Sequence, residues 1–264
     1  MGWNEFLHDS QSSDHGVQIY SSVGELAESV SAYLAAGFEA GEPALVVARP
    51  KNWESFAGAL EQRGWDPAVA EVSGLLTLVD AGTALEAIME EGNPSATRFA
   101  EVIGGLIDQV GDRHPGARIR AVGEMVDILC LRGRPEAAFA LEELWNDLAR
   151  TRNFALLCGY RLDVFDPADQ SVALPGVCDS HSHVRAAADP TRLAQAVDRA
   201  LHDVLGASEA GEVYSSVGRE VEDKRVPVAQ LILMWVSANL PNLSGRVLAA
   251  ARMHYEQPAV SRSH

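Results

Sequence analysis

The chain has 264 residues, 47% of them hydrophobic and 22% charged, and carries a formal net charge of −16. That length suffices for one large α/β domain with an appendage, or for two small domains, and the composition is that of a folded globular chain. A surface this acidic repels nucleic-acid phosphates and anionic lipid, which argues against a DNA-binding head and against membrane docking. The longest apolar run, Leu231 to Val236, is far below the roughly 18 residues that cross a bilayer. Met1-Gly2-Trp3-Asn4-Glu5 has neither the basic nor the apolar region of a signal peptide. Cys130, Cys158 and Cys178 are too few for a disulfide framework and fit a reducing compartment, so the expectation is a cytoplasmic protein.

Taken in chain order, residues 1–14 are polar and Ser-rich and read as a flexible leader. Val17 and Ile19 alternate with polar neighbours over 15–22, which predicts a strand. Leu26, Val30, Tyr33, Leu34 and Phe38 recur at helical spacing, with Gly41 just past the end. Ala44 to Ala48 is an unbroken apolar run of the kind a buried parallel strand needs. Pro50 opens a helix through Leu60, and a strand follows over Leu75 to Val79, ending beside Asp80. Leu85, Ile88 and Met89 mark a short helix, and Phe99 to Val110 a longer one. Ile119 to Val122 is a strand, Met125 to Leu131 and Ala137 to Ala149 are helices, and Phe154 to Tyr160 is the last clear strand.

After Asp166-Pro167 the character changes. Ser171 to Val184 reads as a loop, Asp189 caps a helix with Leu193, Val197 and Leu201 on one face, and Gly206 to Lys224 reads as a linker or mobile loop. Val228 to Leu240 and Leu243 to His254 are two helices parted by Pro241, whose apolar residues call for the sheet domain or another subunit as partner. Strands alternating with helices of this length imply a three-layer α/β/α fold with a mainly parallel sheet, and a C-terminal helical segment. The divisions are a leader over 1–14, a main domain over 15–185 and an output or oligomerisation segment over 186–264.

Several motifs fall in order along the main domain: His15-x-x-Gln-Ile-Tyr20, Gly37-Phe-x-x-Gly41-Glu42, Ile119-Arg-Ala-Val-Gly123-Glu124-Met125-Val126, Leu141-Glu142-x-Leu144-Trp145-Asn146-x-Leu148 and Leu157-Cys158-x-Tyr160. Over about His15 to His183 they resemble the MEDS domain, the sensory domain named for methanogens, methylotrophs and the dichloromethane-responsive regulator. The resemblance implies a RecA-like fold put to sensing small, hydrocarbon-like compounds, with a kinase, ATPase or DNA-binding module often attached. No such module is legible here.

In a parallel sheet of this kind ligands sit at the carboxyl ends of the strands, here Tyr20-Ser21-Ser22, Ala48-Arg49, Asp80, Gly123-Glu124 and Tyr160-Arg161. A RecA-like ATPase would carry Gly-x-x-x-x-Gly-Lys-Ser/Thr after the first strand, its amides and lysine gripping phosphate. This chain has Tyr20-Ser-Ser-Val-Gly-Glu25-Leu-Ala-Glu28 instead, so no ATP binding is expected. Ser21 and Ser22 either contact a ligand or cap the next helix, and Glu124 either lines the pocket or sits against a helix dipole. Trp145 joins the candidate set although Leu141, Leu144 and Leu148 around it make a core setting.

Cys178-x-x-His181-x-His183 has metal-ligand residue types, and His15 joins it if the loop folds back. The bland reading is a hydrogen-bonded cluster closing the pocket. The candidate ligand contacts are thus His15, Tyr20, Ser21, Ser22, Glu124, Trp145, Tyr160, Cys178, His181 and His183. No nucleophile motif such as Gly-x-Ser-x-Gly occurs, so the expectation is a non-enzymatic sensor that binds a small molecule and signals to a protein partner, a regulator or kinase, or to a second copy of itself. The alternative is a metal or haem redox protein built on Cys178, His181 and His183. The cofactor is open.

Overall fold

The computed structural model describes residues 2–220 and 226–257. The chain divides into two compact units: Met1–Arg161 with Asp179–Val184, and Leu162–Cys178 with Arg185–His264.

In the first unit, helix α1 spans Trp3–Asp9 and strand β1 spans His15–Ile19, followed by α2 (Val23–Glu39), β2 (Ala44–Ala48), α3 (Pro50–Gln62), α4 (Pro67–Val72) and β3 (Leu76–Asp80). Then come α5 (Ala81–Ile88), a small antiparallel hairpin of β4 (Met89–Glu90) and β5 (Asn93–Pro94), and α6 (Ala96–Phe99). A π-helical turn over Ala100–Gly104 joins α6 to α7 (Gly105–Arg113), so these form one interrupted rod. The unit continues with β6 (Ile119–Gly123), α8 (Met125–Leu131), α9 (Pro135–Ala149) and β7 (Phe154–Tyr160). The π turn over Asp169–Ala173 and most of α10 (Leu174–Ser180) fall in the second unit, and β8 (His183–Arg185), nearly all in the first, completes the sheet.

The sheet order is β3-β2-β6-β7-β1-β8. The pairs β1–β7, β2–β3, β2–β6 and β6–β7 are all parallel, which makes this the mainly parallel α/β fold expected. Every residue of β1, β2, β6 and β7 is buried, as strands covered on both faces must be. One face carries α1, α2 and α3, whose Phe6, Leu26, Tyr33, Phe38 and Phe56 pack with Ala44, Val46, Val122 and Leu157. The other carries α9: a side chain at Gly123 would meet Trp145 and Cys158.

The leader departs from expectation. Residues Trp3–Asp9 form a helix with Phe6 and Leu7 buried. Trp3, Phe6 and Leu7 lie at helical spacing, and the pattern is too short to outweigh its polar neighbours in sequence. Phe6 occupies the space over Gly16, where an added Cβ would come within 2.3 Å of the ring. Buried Arg120 fixes the helix end by donating to the carbonyls of Leu7 (2.9 Å) and His8 (2.8 Å), while Glu42 accepts from its Nε at 2.6 Å.

In the second unit, α11 (Pro190–Leu205), α12 (Ala207–Glu220), α13 (Val228–Asn239) and α14 (Pro241–Glu256) form a helical cluster. Leu193, Val197 and Leu201 of α11, Ile232 and Val236 of α13, and Val247, Leu248 and Ala251 of α14 are buried. The apolar faces of the last two helices thus find cover within their own unit, where α14 packs along α11 and α13. Two expectations fail here. Most of the segment read as a loop, 171–184, is the π turn and α10. Most of the stretch read as a linker, 206–224, is α12, with Ala210, Val213 and Val217 buried at helical spacing; residues 221–224 lie outside the described residues. The division also differs from the expected break at 185/186, because residues 162–178 belong with the later helices. Among the described residues, no helix is long and apolar enough to cross a membrane.

Candidate functional site

The expected site residues fall into two groups. The first lies at the carboxyl ends of the strands. β2 and β6 are neighbours, but the helices that follow them, α3 and α8, leave towards opposite faces. Such a switch point opens a crevice that backbone cannot fill. Arg49, just past β2, occupies it. Its backbone N–H donates to Glu124 Oε2 at 2.8 Å, and its Nη2 donates to Glu124 Oε1 at 2.9 Å, to the Tyr20 hydroxyl at 2.9 Å and to Asp127 Oδ2 at 2.5 Å. Tyr20 donates to Asp127 Oδ2 at 3.1 Å, Asn52 Nδ2 donates to Glu124 Oε1 at 2.5 Å, and the backbone N–H of Arg161 donates to Asp127 Oδ1 at 2.7 Å.

Glu124 and Asp127 are buried, while the Arg49 side chain keeps 24% of its surface open to solvent. Two carboxylates against one guanidinium leave a net negative charge. Burial pulls the Arg49 pKa down, but Glu124 and Asp127 outweigh it and raise it. Burial, and then the Asp127 charge, push the Tyr20 phenol well above its ordinary range, so it stays a donor. Glu124 stands at the N-cap position of α8, where its charge faces the helix dipole, but its side chain makes no cap hydrogen bond there and is spent on Arg49 and Asn52. Sequence reasoning found Tyr20 and Glu124 and marked the Arg49 strand end, but missed Asp127.

Ser21 and Ser22 sit beside this group at the start of α2. Ser22 is the N-cap and accepts from the Glu25 N–H at 3.4 Å. The Glu25 carboxylate in turn accepts from the Ser21 hydroxyl at 2.8 Å and the Ser21 N–H at 3.1 Å. An internal carboxylate therefore takes the place at the helix N-terminus that an anionic ligand would occupy.

The second group lies on one face of the sheet, under α9. His15, Glu142, Cys158 and His181 are all buried, and one potential ligand atom of each lies within 4.8 Å of the others. His15 Nε2 is 3.3 Å from Cys158 Sγ and 3.4 Å from Glu142 Oε2; His181 Nε2 is 3.3 Å from Glu142 Oε1. The thiol of Cys158 points at Glu142 Oε2 from 3.8 Å. Around them, Tyr160 donates to Glu142 Oε1 at 2.8 Å and His15 Nδ1 meets Asn146 Oδ1 at 2.9 Å.

Burial, and then the charge of His181, lower the His15 pKa to about 3. Its ring is therefore neutral near pH 7, and its approach to Glu142 is not an ion pair. Burial by itself would raise the Glu142 carboxyl; electrostatic interaction with His181, then with His15, and hydrogen bonds from His181 and Tyr160 bring it below the usual glutamate range. Burial, and then Glu142, push the Cys158 thiol well up.

Of the expected residues, His15, Tyr160 and His181 meet here, and not in the crevice with Tyr20. Glu142 and Cys158, which complete this group, were not among the expected residues. Glu142 had a signal: Ala138, Leu141, Glu142 and Trp145 form one stripe at helical spacing, so the carboxylate had to be inside. Trp145 itself is core, edge-on to Phe99 (5.2 Å between centroids) and Phe154 (6.0 Å). The Cys178-x-x-His-x-His run does not act as one chelate. Ser182 holds the edge of β1, its N–H donating to the His15 carbonyl at 2.7 Å. His183 turns to the α1 face, stacked on Phe6 at 4.9 Å and 3.5 Å from Asp14. Cys178 is buried in the second unit and is not in the four-residue group.

One family model, described as MEthanogen/methylotroph, DcmR Sensory domain (MEDS), matches residues 14–175. That is more than half of the chain, and it includes both groups except His181; the match ends short of His183, to which the resemblance was expected to reach. No curated protein matches the chain.

Proposed function

The chain belongs to the MEDS family of sensory domains, and from that premise we propose that it is a non-enzymatic cytoplasmic receiver whose crevice at the carboxyl edge of the sheet binds a small, modestly polar, hydrocarbon-like molecule. The observation that carries this is the set Tyr20, Arg49, Glu124 and Asp127 at the switch between β2 and β6. A partly exposed guanidinium ringed by fixed hydrogen-bond acceptors offers orientation to a small polar group, and apolar strands lie beneath it. The net negative charge selects against anions. The loop before α2 reads as a degenerate phosphate loop in a RecA-like frame, its anion position taken by Glu25, so nucleotide is not the ligand.

Ligand entry would favour one arrangement of the Arg49 network over another, and the helices of the second unit would carry the difference to a protein partner or a second copy. The test is calorimetric melting of the full chain against a panel of short haloalkanes, alcohols, amines and amides, with MgATP alongside. The expected result is one chemical class that raises Tm in the native chain and loses affinity at least tenfold in Tyr20→Phe. No stabilising compound, an affinity unchanged in both Tyr20→Phe and Glu124→Gln, or low-micromolar MgATP binding would each overturn this reading.

A further inference from the structure

The four side chains under α9 serve no purpose in that crevice. We propose that His15, Glu142, Cys158 and His181 together bind one divalent transition-metal ion of the zinc class, in a closed site with two nitrogen, one oxygen and one sulfur ligand.

Ligand atoms about 2.0–2.3 Å from a tetrahedral zinc stand about 3.3–3.8 Å from one another. Around Glu142 Oε2 the contacts found are 3.3 Å (His15 Nε2–Cys158 Sγ), 3.4 Å (His15 Nε2–Oε2) and 3.8 Å (Cys158 Sγ–Oε2), while His181 Nε2 stands 3.3 Å from the other carboxylate oxygen, Oε1, and every ligand atom lies within 4.8 Å of the others. As an N···O hydrogen bond the His15–Glu142 contact is long; as edges of a coordination tetrahedron the three contacts sharing His15 Nε2, Cys158 Sγ and Glu142 Oε2 are the right length. The donor set suits the same ion. Imidazole and thiolate select zinc and its neighbours over calcium and magnesium, which take oxygen. Thiolate plus carboxylate cancel a divalent charge, so the filled site is neutral, as a site with all four side chains buried must be.

The surroundings match what metal ligands require. Asn146 holds the outer nitrogen of His15, which turns Nε2 inward, and Tyr160 holds the outer oxygen of Glu142, leaving Oε2 for the ion. The four ligands come from β1, α9, β7 and the segment Asp179–Val184, so no ligand set exists until the sheet has formed, and metal binding adds to folding stability. That last segment belongs to the first unit, while the chain on both sides of it belongs to the second.

The experiment is metal analysis of the full chain purified without an affinity tag, followed by removal of metal and titration with cobalt(II). About one equivalent of zinc-class metal per chain is expected. The cobalt form should show the intense visible bands of tetrahedral coordination and a thiolate-to-cobalt charge-transfer band. That band should vanish in Cys158→Ser, and Asn146→Ala should weaken metal affinity roughly 10–100-fold while keeping the band. If Cys158→Ser does not fold, X-ray absorption of the native metal form decides, with one sulfur and two imidazoles expected. A folded native chain that takes up neither zinc nor cobalt overturns the proposal, as does metal uptake with no sulfur ligand. Neither result bears on ligand binding at the Arg49 crevice, which is read from the melting experiments.

Discussion

Replacing Phe6 by Ala tests whether the first helix belongs to the core. The Phe6 ring is fully buried, 5.6 Å from Tyr33, 4.9 Å from His183 and 5.3 Å from Trp3 between centroids. Losing such a ring costs about 3–5 kcal/mol, the transfer of its apolar area plus the cavity left behind. The ring lies over Gly16, where an added Cβ would stand 2.3 Å from Phe6 Cε1. In the native chain Gly16→Ala forces the ring or the strand to move, an overpacking cost of about 1–3 kcal/mol. In the Phe6→Ala background the same methyl enters vacated space and costs little. The cycle should therefore show a favourable coupling of at least about 1 kcal/mol between the two changes. Urea unfolding followed by circular dichroism measures all four chains, with m-values checked for constancy. A Phe6→Ala cost below about 1 kcal/mol, or strictly additive changes, would refute the placement of α1 on the sheet.

Three other outcomes follow from the same packing. Val46 is fully buried in β2, so Val46→Asp places an unpaired carboxylate between two layers at a cost of several kcal/mol, and little soluble protein should be recovered; normal yield and melting would contradict the parallel-sheet core. Arg49→Met leaves Glu124 and Asp127 buried without their cation, which should cost roughly 3–5 kcal/mol in chemical denaturation, against under 1 kcal/mol if the network is only a surface contact. Asp80 caps α5 by accepting from the Thr83 hydroxyl and N–H, both at 2.7 Å, and these bonds, the hydroxyl's first, lower its pKa. A carboxyl whose folded pKa is depressed adds stability above its ordinary value and loses it as pH falls through the folded one. Asp80→Ala should thus cost about 0.5–2 kcal/mol at pH 7, and the difference from the native chain should shrink below about pH 3.9; a cost independent of pH would show that the cap carries no charge-dependent share.

Two of the strands buried on both faces were legible as unbroken apolar runs, Ala44–Ala48 and Phe154–Tyr160, and β1 from the alternation of Val17 and Ile19. Helix α11 was equally plain, with Asp189 accepting from Arg192 N–H at 2.9 Å and Leu193, Val197 and Leu201 on one side. The switch-point crevice was half legible, since strand ends can be marked once the strands are known. α1 and α12 were not, because their apolar residues are few among polar ones and only a waiting surface makes such a stripe fold. Least legible was the group of His15, Glu142, Cys158 and His181. A local run drew attention to Cys178, His181 and His183 as one chelate, yet the edge of β1 parts the last two to opposite faces. What unites His15 with Cys158 is the pairing of β1 with β7, a neighbour relation between segments far apart in the chain. Periodicity reports which face of an element is buried; it carries no term for which buried faces meet, and that is decided only when the sheet takes its strand order.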